Sequence, residues 1–98
     1  MDRTTALSCL KQHGTELKAM GVAHLSLFGS TARGEGGPSS DVDLAATFSD
    51  DSRLTALDFV GVMQRLEQIL GVPVDLVSEP ARKARLQAEI DRDRVRVF

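Results

Sequence analysis

Three aspartates in this chain occupy settings where a carboxylate can do chemistry. In DVDLAATF, 41–48, Asp41 and Asp43 alternate with Val42 and Leu44. Residues i and i+2 of a strand share a face and lie about 6.6 Å apart. The two acids therefore project together, while the branched apolar pair points toward a core. Asp75 stands between Val74 and Leu76 in PVDLV, 73–77, the same local pattern. If the second strand lies beside the first, three carboxylates converge on one side of a sheet. Two full charges about 4 Å apart repel by ~4 kcal/mol at an effective dielectric of ~20, so either a pKa rises or a cation enters. An all-oxygen donor set of this kind suits Mg²⁺, which takes one or two carboxylates, several waters and substrate phosphates. Two such ions ~3.5–4 Å apart stabilise the attacking and leaving oxygens of a phosphoryl or nucleotidyl transfer. Taken singly, Asp-x-Asp is more often a solvated turn, and Asp75 an ordinary surface acid. The segment just upstream alters that balance.

That segment is GSTARGEGGPSS, 29–40. Gly29 permits close backbone approach or a positive φ. Ser30 can cap the short helical turn that Thr31, Ala32 and Arg33 would form, presenting its hydroxyl and the following N–H groups to an anion. The pair makes a plausible cradle for triphosphate oxygens. It is not a Walker motif, since no Gly-Lys-Ser/Thr follows. Arg33 has two readings, a phosphate contact or a pair with a loop carboxylate such as Glu35. Gly34, Gly36, Gly37 and Pro38 shape the excursion between strands.

The elements that must position these residues follow from periodicity. Residues 4–20 read as an amphipathic helix with Leu7, Leu10, Leu17 and Met20 inward and Thr4 or Thr5 capping its start; Gly14 weakens it and Gly21 suits its end. AHLSLF, 23–28, reads as a strand whose partial alternation ends in the doubly apolar Leu27-Phe28. DVDLAATF is the second strand. After SDDS, a turn and capping cluster, residues 54–70 form the clearest helix, with Phe59, Val62, Met63, Leu66, Ile69 and Leu70 on one face and Gly71 closing it. PVDLV is a third strand. SEPARKARLQAEIDRD is a charged helix with Leu86 and Ile90 inward, and VRVF, 95–98, a last edge strand. The order α-β-β-α-β-α-β describes one α/β (α+β) domain spanning 1–98, with a small mixed sheet of about four strands.

Composition narrows the function classes. The chain has 98 residues, 42% hydrophobic and 27% charged, enough for one real core. A net charge of −2, four Phe and no Trp or Tyr leave neither an electrostatic footprint nor stacking platforms for nucleic acid. The single cysteine, Cys9, excludes an internal disulfide and reads as a buried, inert thiol. No signal-peptide pattern or membrane span is visible, and a cytoplasmic location is expected. His13 and His24 read as surface or structural residues rather than ligands, because hard Mg²⁺ prefers oxygen. The basic run Arg82, Lys83, Arg85, with Arg92, Arg94 and Arg96, reads as a solvated face interleaved with Glu79, Glu89, Asp91 and Asp93. A partner-docking role for it is the second reading.

Gly29-Ser30, Ala32-Arg33-Gly34 and Ser40-Asp41-x-Asp43-Leu44, at this spacing, resemble the signature of the minimal nucleotidyltransferases of the DNA polymerase beta-like superfamily. The likeness spans nearly the whole chain, including the strand that carries the third acid. Thr31 stands where many relatives have a basic or other polar residue. The resemblance implies a nucleotidyltransferase fold with Asp41 and Asp43 as Mg²⁺ ligands. Asp75 would complete the site, as a ligand or as the group that helps deprotonate the acceptor. Gly29 and Ser30 would bind the β- and γ-phosphates of ATP, with Arg33 and Ser40 also on the nucleotide. Many family members this short are similar to antitoxins encoded beside a HEPN-domain ribonuclease toxin, onto whose tyrosine they are understood to transfer AMP from ATP. That implies a hetero-oligomer with the toxin. The alternatives are a module that neutralises its partner by occlusion, transfer to a small-molecule hydroxyl, and service as the catalytic subunit of a two-chain enzyme.

Overall fold

The computed structural model describes residues 1–37, 41–49 and 54–98. The elements, in chain order, are α1 (Arg3–Gln12), α2 (Gly14–Ala19), β1 (Val22–Phe28), α3 (Gly29–Ala32), β2 (Val42–Phe48), α4 (Ala56–Leu70), β3 (Val74–Ser78), α5 (Ala84–Asp93) and β4 (Val95–Arg96). Ser40 and most of the SDDS cluster lie outside the described residues.

The four strands form one mixed sheet in the order β3-β2-β1-β4. β1 runs antiparallel to both β2 and β4, whereas β2 and β3 are parallel. A parallel neighbour requires a crossover, and α4 supplies it. Its start carries a reciprocal capping box between Thr55 and Asp58, and Gly71 ends it in the left-handed region at φ 72°. Val62, Leu66 and Leu70 face the sheet and are buried. There they join Ala6, Leu10 and Leu17 of the leading helices and Leu25, Leu27, Val42, Leu44, Val74 and Leu76 of the strands. Each large apolar side chain removed from water here stabilises the fold by roughly 1.5–3 kcal/mol. The opposite sheet face carries a smaller cluster, in which Ile90, with Leu86 beside it, covers Phe28, Ala45 and Val77. Both faces of β1 are thus covered near its end, which is why Leu27 and Phe28 are both apolar.

The expected single helix over 4–20 is instead two, broken at His13. Its cap is Asp2, whose Oδ1 accepts the N–H of Thr5 at 2.7 Å, rather than Thr4 or Thr5. The Asp2 carboxylate, immediately before the helix, reaches the free N–H groups of the first turn. The last long helix covers only 84–93 of the expected 78–93, and the final strand only Val95–Arg96. A bulge between Val22 and His24 shifts the β1 register, so Val22 and Leu25, three apart, are both buried.

Candidate active site

β2 and β3 set the centre of the site. Their register places Asp43 directly beside Asp75. Parallel partners project to one face, here the face away from the main core, because flanking Val42, Leu44, Val74 and Leu76 are buried in that core. The ladder is tied just below the acids: Val42 N–H donates to Pro73 O at 3.0 Å, and Val74 N–H donates to Glu67 Oε2 at 3.1 Å. Asp41 lies one residue before β2 and is exposed. Asp43 is half-buried. Burial pushes its carboxyl above the ordinary range, and the charges of Asp75, Asp41 and Glu89 push the same way against the pull of Arg33.

Across the other edge of β2, Asp43 faces Phe28, the last residue of β1. Gly29 follows at φ +70° and opens α3. A Cβ there would collide with Asp43 Oδ2 and come within 3.1 Å of its Cγ. Position 29 therefore demands glycine twice, for backbone conformation and for room beside the acid. The cap of α3 is Phe28 rather than Ser30, which sits inside the first turn. The early N–H groups of a helix have no intrahelical acceptor, so the turn still presents donors beside Asp43. Arg3 Nη1 donates to Ala32 O at 3.1 Å, closing the other end of the turn.

Arg33 adopts the paired alternative. Its Nε donates to Glu35 Oε2 at 3.0 Å and its Nη1 to Asp93 Oδ2 at 2.7 Å. These bonds, Glu35 first, hold its guanidinium more firmly charged than usual. Among the described residues, no three His, Cys, Asp or Glu side chains form a ready-made metal cage. Mutual repulsion of unneutralised carboxylates opposes such closeness. The donor set itself fits a hard divalent ion: the acids are oxygen ligands, and Asp43 carries a repulsion that a cation would relieve.

The histidines stand apart from the acids. His24 Nδ1 accepts from Arg96 Nη2 at 2.7 Å, and His13 Nδ1 lies 3.2 Å from Glu16 Oε1. The charged C-terminal segment is only partly the solvated face expected. Arg82, Lys83 and Arg85 are exposed. Arg94 instead pairs with Glu79 and Asp91 and donates to Ser26 Oγ, and Asp93 is covered by arginines. Glu89 and Asp93 were read only as solvated charges of the last helix, whereas Asp93 accepts from Arg33 and the charge of Glu89 reaches Asp43. The signal was present, since residues 86, 89, 90 and 93 follow the i, i+3, i+4, i+7 spacing of one helix stripe.

Paired strand acids beneath a glycine turn, on a mixed sheet crossed by one helix, are the arrangement of a nucleotidyltransferase. The family model described as nucleotidyltransferase domain matches residues 10–97, and the chain belongs to that family, among its minimal, MntA-like members. It is 36% identical over 91 residues to the protein adenylyltransferase MntA of Thermococcus cleftensis, covering 92% of this chain and 90% of that relative. A solved structure assigned as a minimal nucleotidyltransferase superposes with a TM-score of 0.80 at 35% identity, covering 97% of this chain and 95% of the other. The antitoxin-containing structure of a tri-AMPylated HEPN toxin with its MNT antitoxin, from Shewanella oneidensis, shares the fold. Its TM-score is 0.67 at 19% identity, over 94% of this chain and 71% of that one.

Proposed function

We propose that this chain is a Mg²⁺-dependent protein adenylyltransferase that silences a HEPN toxin by moving AMP from ATP onto a tyrosine hydroxyl, with residues 1–98 as one catalytic domain. The observation that carries the reading is the in-register pair Asp43 and Asp75 beside a glycine whose Cβ would displace Asp43. The names of the relatives, an adenylyltransferase and an antitoxin found with an AMPylated toxin, support the acceptor class.

In this mechanism the β- and γ-phosphates lie against the N–H groups at the start of α3, with Gly29 allowing close approach and Ser30 and Arg33 beside them. Ser40, which lies outside the described residues, would also contact the nucleotide by the family resemblance. Asp41, Asp43 and Asp75 would hold Mg²⁺, which supplies neutralisation of phosphate charge and orientation of the nucleotide. The acceptor oxygen attacks the α-phosphorus and forms a new P–O bond. The bond to the α–β bridging oxygen breaks, pyrophosphate leaves with its electron pair, and the acceptor proton passes to a base. Asp75, exposed at the sheet edge, is suited to take that proton if it is not a ligand.

The test is incubation of the chain with ATP, Mg²⁺ and its HEPN partner, followed by intact-mass measurement. One or more AMP groups should appear on the partner and vanish with Asp41→Asn. Neutralisation that survives Asp41→Asn and Asp43→Asn with no mass gain would instead establish occlusion.

A further inference from the structure

Asp93, at the end of α5, sits sixty residues from the turn it touches. Its Oδ2 accepts from Arg33 Nη1 at 2.7 Å, and its two oxygens accept from Arg92 at 3.1 and 3.3 Å. The side chain is 5% exposed because two guanidinium groups cover it rather than because it enters the core. Arg33 ends α3, and its own N–H donates to Gly29 O at 3.1 Å. Glu35 is its other partner, but Glu35 is local, 65% exposed and carried on the same loop. α5, by contrast, is pinned to the sheet by Ile90, which is fully buried against Phe28 and Ala45. The two acids take the Nε and Nη1 nitrogens of Arg33, and a guanidinium fork is suited to bind a phosphate oxygen as well.

We infer that Asp93 is a positioning residue of the nucleotide site, anchoring Arg33, and through it the Gly29–Ala32 turn, to α5. A long, flexible cation is useful beside a phosphate only if its fork is aimed beforehand. Asp93 does the aiming from a separate element that is packed on the sheet. The inference rests on the nucleotidyl-transfer reading, and it separates from a merely structural ion pair. An ion pair this close to solvent adds little to stability, so its removal should register in nucleotide use far more than in melting.

The experiment uses the full chain with ATP, Mg²⁺ and the HEPN partner. Asp93→Asn should raise KM for ATP by about tenfold to a hundredfold, with the melting temperature nearly unchanged, and Asp93→Glu should recover most of the loss. In an Arg33→Ala background, Asp93→Asn should add nothing, as expected of residues that act through one another. Wild-type KM in Asp93→Asn, or an effect that persists without Arg33, overturns the inference. The Arg33 Nη1–H resonance, on the nitrogen that donates to Asp93, gives a readout independent of turnover. If the wild type transfers no AMP, the functional reading fails, and the resonance alone decides the anchor. Its collapse in Asp93→Asn sustains Asp93 as the anchor, and a sharp, slowly exchanging signal in that variant overturns it.

Discussion

At the scale of single residues, two positions concentrate the chemistry. Asp43 is half-buried beside like charges, so it is the acid whose loss should matter most. On the proposed mechanism, Asp43→Asn should reduce AMP transfer by about a thousandfold or more, since the change replaces a carboxylate oxygen by an amide nitrogen and removes the charge that would hold the metal, while leaving the fold intact by circular dichroism. Gly29 is the companion position. Gly29→Ala forces a side chain into the left-handed region and against Asp43. It should destabilise the protein by roughly 1–3 kcal/mol and depress transfer as strongly as a change to the acid itself, read as kcat/KM beside a denaturant midpoint.

At the scale of elements, connections outside the site hold its geometry. Glu79, at the end of β3, accepts from Arg94 through both oxygens at 2.8 and 2.6 Å and from Gln87 at 2.8 Å. The Arg94 bonds above all hold its carboxyl below the ordinary value of 4.5. A depressed acid stabilises the folded state above its unfolded pKa, and that contribution is lost as pH falls through the folded value. The stability gap between wild type and Glu79→Gln should therefore be widest near neutrality and close as pH drops below 4.5, measured by urea unfolding across pH. The start of α4 offers a control remote from the acids. Thr55→Ala removes one half of the capping box and should cost about 1 kcal/mol, with transfer per folded molecule unchanged.

For the whole molecule, ligand binding and folding are linked. Mg²⁺ with ATP should raise the melting temperature of the wild type, by an amount equivalent to about 2.7 kcal/mol at a hundred times the dissociation constant. The shift should be absent in Asp43→Asn. No shift in the wild type at millimolar concentrations would count against a nucleotide site. The sheet core has its own signature: Leu44, fully buried in the main core that the sheet forms with α4, should cost roughly 2–5 kcal/mol when cut to Ala. Among the described residues no helix is long and apolar enough to cross a membrane.

Much of this was legible before any coordinates. Alternation in DVDLAATF and PVDLV settled that Asp41, Asp43 and Asp75 oppose apolar partners, because side-chain direction in a strand is local geometry. The long helix and its closing glycine followed from the 3.6 period in the same way. What periodicity could not supply was pairing. Nothing local states that β3 lies parallel beside β2 with Asp75 opposite Asp43, or that Gly29 abuts that acid. The break at His13, the Asp2 cap and the contact from Asp93 to Arg33 were likewise decided by packing and by groups distant in the chain. The residues alone determined which side chains could do the chemistry. Tertiary structure decided which of them meet, because contacts between distant segments are chosen by the core they jointly bury rather than by either segment's own sequence.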